Sequence, residues 1–596
     1  MAVLAAVPAV GEGGLSMDVT VGLGGAARYG RYTPVIVSLE NRGARIEGTL
    51  RVESSHIVGF HSQIGSEVHE KRVVLPTRAR MRAGFAIPLS TGARPLVVRM
   101  MAGGRELIRK EIDLRSILAS DRIVAVMSGG ASLDFLYGLE NRGSPLRLVY
   151  PHVESLPESW IGYDGVDLIV LHDIPAGKLS APQAEAIRRW VTGGGILVVS
   201  GGLPALGHAA AGLDALLPSG ITGVRMARFL GGVRGIAETR SASWKPLLEE
   251  GNLVLASGKD LGAGRIVFAA FDVAASDLAD RSEPAGFWQS LLERPRSPVL
   301  NPDRSLPADE PDLKAVLASS ALEFPSTGAV AVFLAVYGAC VAALAWPRTL
   351  SGLKPGARCA AFASVSLAAA VAGCLLFGRV LYADAAGLVD VSVVQADPGG
   401  LARVRQDTLL AAAAPGTYEV RIASSDVAVE DGGSLSRDPS AELALEVSRG
   451  VVVRGIVLPR YGSRVLRLHA VLEFPLEASW KGGGLLLSNR TGAPLRECLV
   501  VRGGTAYSIG DAGPGQRTIG AARLETPAAR TAADSLRRQL ADQTIAGLDK
   551  GATWVLGWRT EPLLRVEVPA SFARSVRECL VIIEVSPAPL REGSAP

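Results

Sequence analysis

Ser200 closes the apolar run Ile196–Val199 and is followed by Gly201 and Gly202, an order that places a serine hydroxyl on a tight turn at the end of a strand. Nucleophilic catalysis needs such a hydroxyl together with a base and an acid that orients the base. His172 and Asp173 end a second apolar run, Leu168–Leu171, where open α/β sheets bind their ligands. His208 offers an alternative base. The set Ser200, His172 or His208, and Asp173 would make a hydrolase. Against this, the residues around Ser200 do not spell G-x-S-x-G, and His208 follows too closely to fold back without a special loop. No cysteine lies between residues 119 and 295 to replace the serine. Polar side chains at strand ends commonly satisfy backbone groups. The reading kept is therefore that no residue is catalytic, with a Ser200 hydrolase as the alternative.

Ser128, Gly129 and Gly130 lie between a strand and a helical pattern, where backbone N–H groups could hold a small anion. The segment lacks both the Walker lysine and the G-x-G-x-x-G spacing, so it reads first as a tight turn. Asp164 and Asp167 precede a strand and read as turn and cap residues. His56, His61 and His69 match no ligand spacing and have no cysteine among them, so they read as solvent-facing. No metal or other cofactor is expected. Of the five cysteines, Cys340, Cys359 and Cys374 fall in or beside long apolar runs. Cys498 and Cys579 sit in near-identical pentapeptides, RECLV, on candidate strands. A disulfide between them is conceivable, but two unpaired buried thiols are the preferred reading.

These residues need elements to hold them, and the chain is long enough for several. Its 596 residues are 48% hydrophobic and 20% charged, which excludes a disordered or fibrous chain. Lys+Arg 62 against Asp+Glu 58 leaves a net charge of +4, and no basic run interleaves with aromatics, so nucleic acid is not an expected partner. Residues 15–118 alternate at period 2 with frequent turn signals and predict a β-sandwich. From 119 to 295 strands alternate with helical patterns, predicting an open, mostly parallel sheet. One helix there starts at Ser180 with Pro182 in its first turn, and Ala184, Ile187, Trp190 and Val191 form its inner stripe. Residues 380–596 return to β patterning, with a helix over 526–548.

Between residues 296–325, a linker, and the final β-rich part lie two uncharged runs, in 326–346 and 359–379. Each is about 20 residues, the length of a membrane-crossing helix. The joining loop 347–358 carries Arg348, Lys354 and Arg358 without an acid, which places it in the cytoplasm by the positive-inside rule. Residues 1–14 look like the remnant of a secretory signal. The expectation is a bacterial inner-membrane protein with two spans, both large soluble parts lying outside the cytoplasm and the lipid bilayer among its partners.

The run from Tyr163 to Gly202 resembles the class I glutamine-amidotransferase-like (flavodoxin-like) fold, as found in uncharacterised bacterial membrane proteins in which a β-sandwich precedes it. The segment Gly262–Asp272, with Gly264-Arg265-Ile266-Val267 and Phe271-Asp272, is similar to the strand that closes that domain. Gly557–Pro562 resembles a segment near their C-terminus. The resemblance implies a multidomain α/β plus all-β chain whose amidotransferase-like site lacks its cysteine nucleophile. It also implies association with ABC-type export or envelope-assembly proteins. The expected function is a non-catalytic, membrane-anchored binding or scaffold component. Alternatives are the Ser200 hydrolase and a sensor of small ligands bound near Ser128 and His172.

Overall fold

The computed structural model describes residues 9–586 outside 11–13, 59–62, 131, 140–144, 175–177, 203–215, 219–220, 222, 239–243, 275–281, 294–326, 347–353, 382–386, 413, 435–442, 449, 460–461, 482–483, 520–534, 570–571 and 573. His208, His61, the linker 296–325 and most of the signal-like segment lie outside the described residues.

Strict alternation builds the N-terminal strands. In β1 (Leu15–Val21) every second side chain, Leu15, Met17, Val19 and Val21, is buried. It pairs with β2 (Arg31–Asn41), while the hairpin of β3 (Ile46–Val58) and β4 (Gln63–Leu75) belongs to another sheet. β5 (Ala79–Leu89) returns to pair with β2 and forms the edge of a four-stranded antiparallel sheet. β6 (Leu96–Ala102) and β7 (Arg105–Ile112) continue from β3. The two sheets face each other across a core that includes Met17, Val37, Leu50, Val52, Ile87 and Val98.

Next come β8 (Arg122–Met127), β9 (Leu146–Val149), β10 (Leu168–Leu171), α1 (Ala181–Thr192) and β11 (Ile196–Ser200), then β12 (Lys245–Glu250), β13 (Leu253–Leu261) and β14 (Gly264–Ala269). The sheet order is β9-β8-β10-β11-β14-β13-β12; the first five are parallel, and β13 and β12 join antiparallel. β10 and β11 are buried at every position, as strands covered on both faces must be. Helix α1 opens on a capping box: Ser180 Oγ accepts from Gln183 N, and Gln183 Oε1 accepts from Ser180 N. The helix stops at Gly193-Gly194-Gly195 because the chain turns back over its own last turn. A methyl at Gly195 would lie 2.4 Å from the Trp190 ring, and one at Gly264 would lie 1.9 Å from the Val191 carbonyl oxygen. A further helix, α2 (Ser282–Glu293), buries Phe287, Trp288 and Leu291.

The expected fold class is corrected by this structure, which is mostly β, with 55% strand against 19% helix. A doubly wound, flavodoxin-like unit needs helices on its crossovers. Asp134–Leu139, expected as one of them, is a short 3-10 turn, as are Val153–Ser155 and Trp160–Tyr163. The two β-rich parts are also not independent. Helices α3 (Thr327–Ala345) and α4 (Pro355–Leu381) lead into β15 (Gly387–Ala396), β16 (Leu401–Ala411), β17 (Gly416–Ile422), β18 (Val427–Ser434), β19 (Leu443–Val447), β20 (Val451–Leu458) and β21 (Ser463–Glu473). β19 pairs parallel with β4, matching Leu443 to Glu67 and Glu446 to Glu70. One eight-stranded sheet therefore runs from Val566–Glu567 through β17, β20 and β19 to β4, β3, β6 and β7. A second eight-stranded sheet has β18 at its edge and continues through β21, β16, β15, Arg574–Glu584, Thr553–Arg559 and Leu495–Arg502 to Thr505–Ala512.

The membrane expectation is corrected as well. Among the described residues only α3 is long and apolar enough to cross a bilayer, with 19 residues, a mean hydropathy of 2.2 and no burial. Among the residues of α4 whose side chains are described, Cys359–Gly373 is apolar but shorter than a membrane crossing needs. A two-helix transmembrane hairpin, and the inner-membrane placement built on it, do not follow from one such helix. The β4–β19 pairing adds a constraint that is independent of the helices: the flanks on either side of them share one sheet and so occupy one compartment.

Cys498 and Cys579 are free and buried. Their strands are separated by Thr553–Arg559, so they stand about 10 Å apart across two strand spacings, beyond disulfide reach. Burial pushes both thiols up to about 11.

Because Leu445 of β19 is 5% exposed, Leu445→Asp would bury a carboxylate in the shared sheet and should cost about 3 kcal/mol. Thermal unfolding followed by hydrogen exchange should show β4 and β19 losing protection together. Loss confined to β19 would mean that the two ends fold separately.

Candidate functional site

The carboxyl end of the parallel sheet gathers most of the polar residues singled out in the sequence. Strand β8 delivers Ser128, whose Oγ accepts from Gly130 N at 3.2 Å and closes a local turn. That turn abuts β10: a methyl at Gly129 would lie 3.5 Å from Asp173 Oδ2. His172, at the end of β10, is 7% exposed and anchored by its own N–H to the Met127 carbonyl. Its Nε2 lies 2.7 Å from Asp272 Oδ1, while its Nδ1 is buried with no hydrogen-bond partner. Burial works against the Asp272 carboxylate, but bonds from His172 and from Ala274 N hold it below the usual range.

The acid that orients His172 is thus Asp272, not the neighbouring Asp173, which is exposed. Asp272 ends the closing-strand segment, so its signal was present in the sequence, but a partner 100 residues away is set by the parallel pairing of β11 with β14. Ser200 is 0% exposed, and its Oγ accepts from Val273 N at 3.1 Å. Its turn is compressed: a methyl at Gly201 would lie 2.3 Å from the Ala269 carbonyl oxygen, and Gly202 has φ +63°. Among the described residues no group of His, Cys, Asp or Glu is arranged to hold a metal. His56 lies opposite Gly65 and His69 opposite Val52, so the β3–β4 hairpin keeps them well apart. His69 is buried rather than solvent-facing, with Nε2 3.1 Å from Glu67 Oε1.

A second site, which the sequence reading missed, lies where the three parts of the chain meet. Three aspartates, Asp164 buried and Asp167 and Asp426 half-buried, clamp it. Asp164 accepts from Tyr32 N at 3.1 Å and lies 3.6 Å from Arg31, while Asp167 takes two bonds from Arg28 and one from Ile123 N. These turn and cap residues therefore also hold β2 against the parallel sheet. Asp426, just before β18, accepts from Ser159 Oγ at 2.5 Å and from Arg189 of α1 at 3.1 Å, with the Trp160 indole N–H on its carbonyl. The clamps surround a cleft of about 580 Å³ lined by both edge strands, β5 and β18, together with β2, β4, β19 and the 3-10 turns before α1.

Tyr32 forms part of the floor and donates its hydroxyl to the Val429 carbonyl at 2.8 Å. Behind it is a buried charge cluster. Arg467 bonds Asp407 at 3.1 Å, Arg405 lies 3.8 Å from the same carboxylate, and His469 Nε2 is 3.9 Å from Glu430. Burial, reinforced by Asp164 and Asp407 and opposed by Arg467 and Arg405, pushes Glu430 up to about 7. Burial and the two arginines drive His469 well below its ordinary value.

In comparisons with known proteins, residues 14–115 match the family model "Domain of unknown function (DUF8726)". No curated protein matches the chain. Among solved structures it is similar to the cytoplasmic protein STM1381 from Salmonella typhimurium LT2, at 15% identity over 30% of this chain and 100% of that one, with a TM-score of 0.23. It is also similar to the exo-beta-1,4-mannosidase Op5Man5 from Opitutaceae bacterium strain TAV5, at 17% identity over 30% of this chain and 37% of that one, with a TM-score of 0.22. For the yeast delta-COP-I mu-homology domain the figures are 9% identity, 34% and 95% coverage, and a TM-score of 0.16. Scores this low carry nothing about activity.

Glu430 makes the junction sensitive to pH. Its folded pKa of about 7 lies above the ordinary 4.5, so the native state holds a proton that the unfolded chain releases. This contribution is complete below about pH 4.5 and is lost as pH rises through about 7, amounting to about 3 kcal/mol. Denaturant titrations of Glu430→Gln against the parent should diverge in favour of the variant between pH 5 and pH 8. A pH-independent difference would rule out a buried protonated Glu430.

Proposed function

We propose that this chain is a non-catalytic binding or scaffold component of a larger protein assembly. The observation that carries the reading is the state of Ser200: a hydroxyl with no exposed surface, accepting a backbone N–H bond, cannot meet a substrate carbonyl without the turn after its strand opening. The clamped junction supports the same reading, since β strands from both ends and the parallel sheet present fixed surfaces to a partner. Envelope or transporter-associated proteins are the partners that the family resemblance implies. The second reading, a serine hydrolase, draws on the 2.7 Å pair of His172 and Asp272.

The two readings separate on the full-length protein treated with a fluorophosphonate probe, which labels activated serines. The expected outcome is no labelling, and unchanged co-purification of cross-linked partners with Ser200→Ala and His172→Ala. Stoichiometric labelling that disappears in Ser200→Ala would overturn the non-catalytic reading and establish the hydrolase.

A further inference from the structure

The junction cleft carries a more specific inference, one that goes beyond the scaffold reading and does not rest on it. Its volume of about 580 Å³ falls within the ~300–1,000 Å³ of small-molecule sites. Its lining includes the apolar side chains of Ile36, Ala86, Val427, Val447 and Val451. Most charges around it are already satisfied. Asp426 is held by Arg189, Glu154 pairs with Lys178, and Arg82 donates to the Glu154 carbonyl oxygen. Glu158 is exposed.

Lys71 is the exception. It lines the cleft from β4, half-buried, and no carboxylate among the described residues pairs with it. The acids nearest in the sheet are committed elsewhere, Glu70 to Arg51 and Glu446 to Arg72 and Arg454. An ammonium drawn partly out of water beside an apolar wall is stabilised by an anion brought in with the ligand. We propose that the cleft binds an amphiphile with a single anionic head group, the head paired with Lys71 and the chain laid along Ile36, Val427 and Val451.

The test is calorimetric titration of the full-length protein with decanoate, decyl phosphate, decanol and decyltrimethylammonium, each below its micelle concentration. Decanoate or decyl phosphate should bind one to one, with decanol at least tenfold weaker and the cationic amphiphile weaker still. The tighter of the two anions identifies the head group. Lys71→Met should weaken the anion at least tenfold without changing decanol binding, and Lys71→Arg should restore it. Ile36→Trp should fill the cleft and remove both, with thermal unfolding confirming that each variant is folded. Equal anion affinity in the parent and Lys71→Met, or an unchanged titration in Ile36→Trp, would place any binding on the exposed apolar faces of α3 and overturn the assignment. No binding of either anion by the folded parent would overturn it too.

Discussion

Four residues of β4, Glu67 to Glu70, run parallel to four of β19, Leu443 to Glu446, and this pairing turns the two ends of the chain into one sheet. Every larger feature follows from it. The N-terminal hairpin gains the C-terminal strands as neighbours, β18 is brought beside the parallel sheet, and both flanks of the apolar helices are held in one compartment. A four-residue parallel ladder is weak alone. The ion pairs across it, Arg72 with Glu446 and Arg454 with Glu70, are substantially exposed on the arginine side and add little. Leu443, Leu445, Val451 and Val453 anchor the C-terminal side of the ladder in the core of their own strands, as Val52 and Val73 anchor the N-terminal side in theirs.

What the apolar packing leaves undetermined, the junction carboxylates determine. Asp164, Asp167 and Asp426 each bridge two parts of the chain, and each satisfies a backbone group or a second side chain besides its arginine. Ion pairs taken out of water seldom contribute much net stability, because desolvation consumes most of the Coulomb gain. Their effect here is geometric. An aspartate that must meet Arg189, Ser159 and the end of β18 at once admits one docking of the parallel sheet against the edge strand, whereas a greasy contact would admit several.

The sequence was most informative where structure is local. Alternation marked β1 correctly, and Ser180 with Pro182 in the first turn marked the start of α1. It was least informative where partners lie far apart. Nothing near His172 points to Asp272, and nothing near His69 reveals that a strand from residue 443 onward covers that side of its own strand and leaves the ring buried. The apolar runs misled for a related reason. Composition alone measures how greasy a stretch is, and among the described residues only α3 matches it with a helix long and apolar enough to cross a bilayer.

The same distinction governs where chemistry can occur in this molecule. Residues at the carboxyl end of the parallel sheet attract attention because such ends bind ligands in open α/β sheets, but that rule presupposes side chains that reach solvent. Here the compressed Gly201–Gly202 turn draws Ser200 under the Val273 N–H, and His172 is turned toward Asp272. Polarity at this end is spent on holding strand ends together. At the junction the accounting reverses. Three separately built surfaces meet imperfectly, their edge strands stop short of each other, and the gap keeps an ammonium from β4 that no carboxylate among the described residues pairs with. A binding site formed in this way leaves no motif, because none of its walls is contiguous in sequence. It can be read only once the pairing of β4 with β19 has placed those walls face to face.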